Sequence, residues 1–157
     1  MDADEGWMHR AIEIARRGIT AGQSPFGAVV TRGDALVAEA HNAVIAETDP
    51  TSHAEVRAIR AASRALGTID LSDCVLYSTC EPCPMCFGAI HWARLHRLVF
   101  GARIADARAA GFNELPVSNE TLRQIGGSEV AIVPDCERAE CVALFAEWAR
   151  GPAPRRY

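Results

Sequence analysis

Residues 49–56 read DPTSHAEV and residues 79–86 read TCEPCPMC, and the rest of the chain is interpreted from these two stretches. They contain one histidine, His53, and two cysteines three positions apart, Cys83 and Cys86. Imidazole nitrogen and thiolate sulfur are donors that Zn²⁺ prefers, and three protein donors leave a fourth coordination position free. A structural zinc site has four protein ligands, so this pattern indicates a catalytic one.

One acidic residue accompanies the three donors. Glu55 lies two positions after His53, close enough to reach water at the free coordination position but poorly placed to be a ligand. General acid and base catalysis is therefore its expected role. A noncatalytic scaffold stabilised by zinc has no use for a free acid at that place, so Glu55 favours an enzyme.

Both motifs lie where helices are expected to begin. Thr51 or Ser52 is predicted to cap the first helix, and Pro82 and Pro84 suit the start of the second, where a missing amide donor costs nothing. A helix N-terminus also lowers the pKa of a nearby thiol. The sequence therefore predicts two helix N-termini that point at one metal ion.

Other interpretations of the cysteines are weaker. Cys80, Cys83 and Cys86 match the first three cysteines of a bacterial iron–sulfur motif, whose next cysteine would stand at position 90, occupied here by Ile90. Cys80 is expected to end a strand as a buried thiol. The pair Cys83 and Cys86 alone also suits redox or structural sites, and only its combination with the histidine and glutamate motif favours catalytic zinc.

Size and charge agree with a small enzyme. The chain has 157 residues, 49% of them hydrophobic, which predicts one domain over 1–157 with a C-terminal tail at about 150–157. The net charge of −4 argues against a strong, nonspecific nucleic-acid surface and favours a small substrate. The acidic start MDADE is unlike a secretory signal and no apolar run could cross a membrane, which predicts a cytoplasmic protein without structural disulfides.

Hydrophobic periodicity predicts helices that alternate with short strands. Helices of this length between strands imply parallel pairing with helices on both faces, whereas a turn at residues 32–34 implies an antiparallel hairpin. The predicted order is α-β-β-α-β-α-β-α-β-α around a mixed five-stranded sheet. The first and last helices are predicted at residues 4–21 and 136–149, and the strands at 26–31, 35–41, 74–80, 96–101 and 129–134.

Five segments together resemble the cytidine deaminase superfamily, and within it the bacterial guanine deaminases. They are SPFGAVV at 24–30, DPTSHAEV at 49–56, TCEPCPMC at 79–86, GAIHWAR at 88–94 and AAGF at 109–112. The pattern H-x-E followed by P-C-x-x-C is typical of zinc deaminases. The resemblance implies a three-layer α/β/α fold, a homodimer, one Zn²⁺ per subunit and a hydrolysis that releases ammonia from an amino-bearing ring.

The resemblance also implies roles for individual residues. Glu55 resembles the proton shuttle, and the metal ligands are His53, Cys83 and Cys86. The residues that match substrate contacts are Asn42, which bonds the base, Phe26 and Trp92, which wall the pocket, and Ala54.

Two further positions bear on the substrate. Related guanine deaminases have an aspartate soon after the Gly-Phe pair, where this chain has Glu114. The extra methylene either leaves guanine as the substrate or favours a smaller ring, unless Glu114 is a solvated loop residue. Tyr157 resembles a C-terminal tyrosine that closes the site of the neighbouring subunit, which implies exchanged C-terminal segments.

The leading prediction is hydrolysis of free guanine to xanthine and ammonia. Guanosine, an aminotriazine and cytosine are alternative substrates of the same chemistry. Deamination of adenosine in tRNA would need a basic RNA-binding surface, against which the net acidity speaks. The alternative outside enzymes is the zinc-stabilised scaffold.

Overall fold

The computed structural model describes residues 1–157 and contains one five-stranded sheet in the order β2-β1-β3-β4-β5. β1 pairs antiparallel with both β2 and β3, whereas β3 with β4 and β4 with β5 are parallel. The predicted mixed sheet is confirmed. The strands are β1 Gly27–Arg32, β2 Ala35–His41, β3 Val75–Cys80, β4 Arg97–Ala102 and β5 Ala131–Val133.

Seven helices cover the two faces of this sheet. They are α1 Ala3–Thr20, α2 Val44–Glu47, α3 Ala54–Leu66, α4 Pro84–Trp92, α5 Ile104–Ala109, α6 Asn119–Gly126 and α7 Arg138–Ala149. None of the seven combines the length and apolar character needed to cross a membrane. The four-residue α2 was not predicted, and α5 and α6 stand where one helix was expected, because helices of one or two turns leave little periodic pattern.

One apolar core lies on each face of the sheet, between the strands and the helices that cover that face. Alternate residues of a strand point to opposite faces, so Ala28 and Val30 pack with α3 and α4, whereas Val29 packs with α1 and α7. α6 adds Leu122 to the first core and α5 adds Ala107 to the second. This arrangement is the predicted three-layer α/β/α fold.

The structure confirms the predicted hairpin but not the predicted cap of α3. Gly33 has a φ of +57° in the turn between β1 and β2, as a two-residue hairpin requires. The cap predicted for α3 was wrong, because His53 is the N-cap and α3 begins after it. The Thr51 hydroxyl instead donates to the Asp49 carboxylate at 2.7 Å, and the Ser52 hydroxyl is hydrogen-bonded to Glu47. These local turn contacts compete with capping.

Candidate functional site

The three predicted metal donors meet at the N-termini of α3 and α4. His53 and Cys83 are the N-cap residues of the two helices, and Cys86 lies in the first turn of α4. The Sγ atoms of Cys83 and Cys86 are 3.6 and 3.4 Å from Nδ1 of His53, and all three donor atoms lie within 4.8 Å of one another. Two helix starts therefore converge, as the motifs predicted.

The donor set fits zinc. Tetrahedral coordination with zinc–nitrogen and zinc–sulfur bonds of normal length places the donors roughly 3.5 Å apart, which agrees with the separations in the structure. Hydrogen bonding from Cys86, followed in strength by that from His53, lowers the pKa of the Cys83 thiol to about 4. Thiolate is the form of cysteine that binds metal, so a lowered thiol pKa suits a metal ligand.

Glu55 lies beside the donors in the first turn of α3. Its side chain lines the cavity in front of the donors, although the residue is only 5% exposed. Burial raises the pKa of its carboxyl group because the charged form loses hydration. A buried carboxyl group whose pKa is raised above its ordinary value suits general acid and base catalysis.

The cavity has a volume of about 170 Å³. A cavity of about 150 Å³ in another protein is known to bind benzene, so this one has the size for a single ring system. Its lining residues are Phe26, Asn42, His53, Glu55, Cys80, Glu81, Cys83, Phe112, Asn113, Glu114 and Tyr157. Seven of the sequence-predicted site residues are among them, and the metal donor Cys86 is completely buried.

Aromatic rings form the apolar part of this lining. Phe26 and Phe112 meet edge to face with ring centroids 5.1 Å apart, and Phe112 meets Tyr157 in the same way at 5.6 Å. Rings in these positions can contact the faces and edges of a planar substrate. Phe26 was predicted at this place, whereas Phe112 was noticed only as part of the Gly-Phe segment.

Asn42 has an orientation set by the backbone. The residue is 1% exposed, and its Oδ1 accepts a hydrogen bond from the amide of Val44 at 3.0 Å. Asn42 lines the pocket together with Tyr157, and because Oδ1 already accepts from Val44, the side-chain NH₂ group is the part of Asn42 available to a ligand. Asn42 therefore presents a hydrogen-bond donor, as required for contact with a carbonyl or ring nitrogen of a base.

Glu114 lies in the loop between α5 and α6 and lines the pocket. Burial, and after it the negative charges of Cys83 and Glu55, raises the pKa of its carboxyl group to about 7. Glu114 is half-buried at the pocket, unlike a solvated loop residue. It is a second carboxyl group at the pocket, on a different segment from Glu55.

Tyr157 lines the pocket of its own chain. The backbone amide of Asn113 donates to its carbonyl oxygen at 2.9 Å, and burial raises the pKa of its hydroxyl. The preceding Arg156 donates to the carbonyl of Ala110 at 3.0 Å and stacks over the ring of Trp148. The tail therefore packs on its own chain, which differs from the expected closure of a neighbouring subunit's site.

Two predicted substrate contacts lie outside the pocket lining of the single chain. Trp92 is the last residue of α4, at the opposite end of the helix from Cys83, and it is 82% exposed. Trp92 does not line the pocket of the single chain, and its role in the wall of a pocket stays a prediction. Ala54 is completely buried, and its side chain belongs to the core between α3 and the sheet.

Sequence reasoning assigned no site role to Glu81 and Asn113. Glu81 is 7% exposed and directly precedes the Pro-Cys pair, and this acidic residue within an apolar motif was the available signal. Cys80 ends β3 as a buried thiol outside the donor group, as predicted.

Comparison with known proteins agrees with this geometry. Residues 1–102 match the family model of the cytidine and deoxycytidylate deaminase zinc-binding region. The chain is 49% identical to guanine deaminase of Bacillus subtilis over 111 residues, which cover 70% of this chain and 71% of that protein. The guanine deaminase structure from Nitrosomonas europaea aligns with a TM-score of 0.86 at 32% identity, covering 94% of this chain and 85% of that one. A tRNA-specific adenosine deaminase of Bacillus subtilis is 42% identical over 102 residues, or 65% of this chain and 63% of that protein.

Proposed function

This chain belongs to the cytidine and deoxycytidylate deaminase family, and we propose that it hydrolyses free guanine to xanthine and ammonia. The observation that carries the proposal is a ring-sized cavity in which Glu55 and Glu114 lie beside the three metal donors. Similarity to two guanine deaminases, one over nearly the whole chain, supports the same substrate.

His53, Cys83 and Cys86 would hold a zinc ion, which would supply the Lewis acidity that makes water nucleophilic at neutral pH. Glu55 takes a proton from the attacking water and delivers protons to the ring nitrogen and to the departing amine. The metal donors and the proton carrier come from adjacent helix starts, so their relative positions are held by the packing of α3 and α4.

The remaining pocket residues would hold and orient the base. Phe26 and Phe112 contact the ring, the NH₂ group of Asn42 donates to an acceptor on the base, and Glu114 accepts from a ring N–H. The base offers both kinds of group, since guanine carries acceptors and donors on its edges. A single-ring or fused-ring heterocycle is thereby fixed with its amino group towards the metal donors.

The test is ammonia release by the zinc-loaded protein. Guanine is expected to give ammonia and an equal amount of xanthine, whereas guanosine, cytosine, adenine and an anticodon stem-loop RNA in parallel reactions give much less. A cavity with the volume of one ring system and a net charge of −4 both disfavour the RNA. Turnover of another of these compounds without turnover of guanine would contradict the proposal.

Glu114→Gln is expected to raise KM for guanine by about 10- to 100-fold, because a hydrogen bond to a charged acceptor contributes about 1.5–3 kcal/mol. Glu114→Asp retains the charge and should stay closer to the parent protein. Steady-state kinetics on both variants measure this, with Glu13→Gln on the exposed surface of α1 as the charge control. Equal KM values for Glu114→Gln and the control would exclude Glu114 as a substrate contact.

We further propose that the enzyme works as a homodimer. Met85 and Trp92 lie seven residues apart on α4, two helical turns, and both are exposed in the single chain. Pairing of this apolar face with a second copy would bury Trp92, in line with the dimers that the family resemblance implies. Trp92→Ser is expected to give monomers in sedimentation velocity, whereas Ile69→Ser, at a residue 87% exposed elsewhere, should not. A monomeric parent protein would refute the proposal.

Residues 1–157 are proposed to act as one deaminase domain, since the pocket draws on segments from Phe26 to Tyr157 around one sheet. The cytoplasmic location remains a prediction.

A further inference from the structure

Glu81 is a buried acidic residue that the proposed chemistry does not use. It follows the end of β3 and precedes Pro82 and Cys83, so it begins the loop that brings a metal donor to α4. Its backbone amide donates to the carbonyl of Ala102 at 2.7 Å, which continues the pairing of β3 with β4. The residue is 7% exposed and lines the pocket.

The side chain of Glu81 joins the N-termini of two helices. Oε1 accepts from the amide of Ile104 at 3.2 Å, and Oε2 accepts from the amide of Asn119 at 2.9 Å. These are the first residues of α5 and α6, whose amides have no partner within their own helices. The two helices bracket residues 110–118, the loop that carries Glu114 to the pocket, so one carboxylate holds both ends of this loop.

Asn119 completes a connection back to the metal donors. It is completely buried, and its Nδ2 donates to the carbonyl of Pro82 at 2.6 Å, immediately before Cys83. The backbone amide of Asn119 is bonded to Glu81. The start of α6 is therefore tied at two points to the loop that begins at Glu81 and ends at the metal donor.

We propose that Glu81 and Asn119 are positioning residues that set the distance between the metal donors and the substrate loop 110–118. Neither residue bonds the reacting atoms in this role. They determine instead where Glu114 holds the ring relative to Cys83 and Glu55. A glutamine at position 81 keeps the size of the side chain but has only one oxygen, and its NH₂ group would face a backbone N–H, donor against donor.

Glu81→Gln in the zinc-loaded enzyme tests this inference. Loss of a residue that supports a metal site commonly lowers activity by about 10- to 100-fold, and a fall of this size is expected in kcat/KM. The fall should come mainly from KM, since Glu55 and the three donors are unchanged, and zinc content should stay at one ion per chain. Glu120→Gln is the matched control, because Glu120 is an exposed acid in the first turn of α6, the helix whose first amide Glu81 accepts, and it is paired with Arg123.

Asn119→Ala gives a second measurement from the other side of the connection. It removes the hydrogen bond to the carbonyl of Pro82 but retains the backbone amide that donates to Glu81. It should therefore also raise KM. If Glu81→Gln does not fold, Asn119→Ala becomes the deciding variant. Values of kcat/KM within twofold of the parent enzyme, or a loss that merely follows loss of zinc, would overturn the inference.

This inference rests on the proposed function only for the choice of assay substrate. Turnover of guanine by the parent enzyme tests the function, whereas the variants are compared with the parent on whichever amino-bearing heterocycle it deaminates. The two failures are therefore distinguishable.

Discussion

Glu55→Gln is expected to lower kcat for deamination by about 10²- to 10⁴-fold, the usual contribution of a positioned proton carrier. Glutamine has nearly the same size and fits the buried position of Glu55, but it cannot accept a proton from water and return it to the ring. Zinc content should stay at one ion per chain, because Glu55 is outside the donor group. Ammonia release and metal analysis on the same preparation measure both quantities.

The control for this substitution is Glu129→Gln, which removes the same charge from an exposed residue. It should leave kcat and zinc content at the values of the parent protein. If Glu55→Gln retained kcat within a few-fold, Glu55 would not be the proton carrier. If it lost zinc as well as turnover, the residue would instead support the metal site.

Cys86→Ala is expected to abolish both zinc binding and turnover. Without Cys86 only two donors of the group remain, His53 and Cys83, and they cannot form a three-ligand site. Cys86 is completely buried, so a donor from the protein surface cannot take its place. Metal-free protein should also unfold at lower temperature, since binding to the folded state alone stabilises by about 4 kcal/mol when free zinc is a thousandfold above Kd.

Two cysteine variants separate metal binding from general effects of cysteine loss. Cys80→Ala should retain one zinc ion, because Cys80 lines the pocket but lies outside the donor group. Cys136→Ala, outside the pocket in the turn that precedes α7, should retain both zinc and turnover. Metal analysis and thermal unfolding with and without chelator provide the measurements. Full zinc occupancy in Cys86→Ala would exclude the three-donor site.

Helix geometry and local turn contacts limit what the sequence alone predicts. The resemblance places Trp92 at a pocket wall, but in the single chain it lies at the end of α4 opposite the donors, so this role stays a prediction. Thr51 and Ser52 are good capping residues, but their hydroxyls bond instead to Asp49 and Glu47, which lie two and five positions earlier in the chain. The capping preference of these residue types is real, but here the hydrogen bonds within the turn compete with capping and replace it.

The sequence by itself determined the metal donors, Glu55 and the order of the main elements. His53, Glu55, Cys83 and Cys86 stand at short spacings that constrain their geometry on helix starts, and hydrophobic periodicity is a local property of each segment. The mixed sheet followed from the lengths of the connections between strands.

Only the tertiary structure decided which distant side chains share the pocket and what holds them there. Glu81 accepts hydrogen bonds from residues 23 and 38 positions away, and Tyr157 reaches the pocket from the end of the chain. No spacing rule links such residues, because their contact depends on how the loops between α5, α6 and the C-terminal tail pack over the sheet. The metal donors could therefore be predicted from a sequence motif, whereas the residues that line the pocket, and those that position them, are brought together by long-range packing.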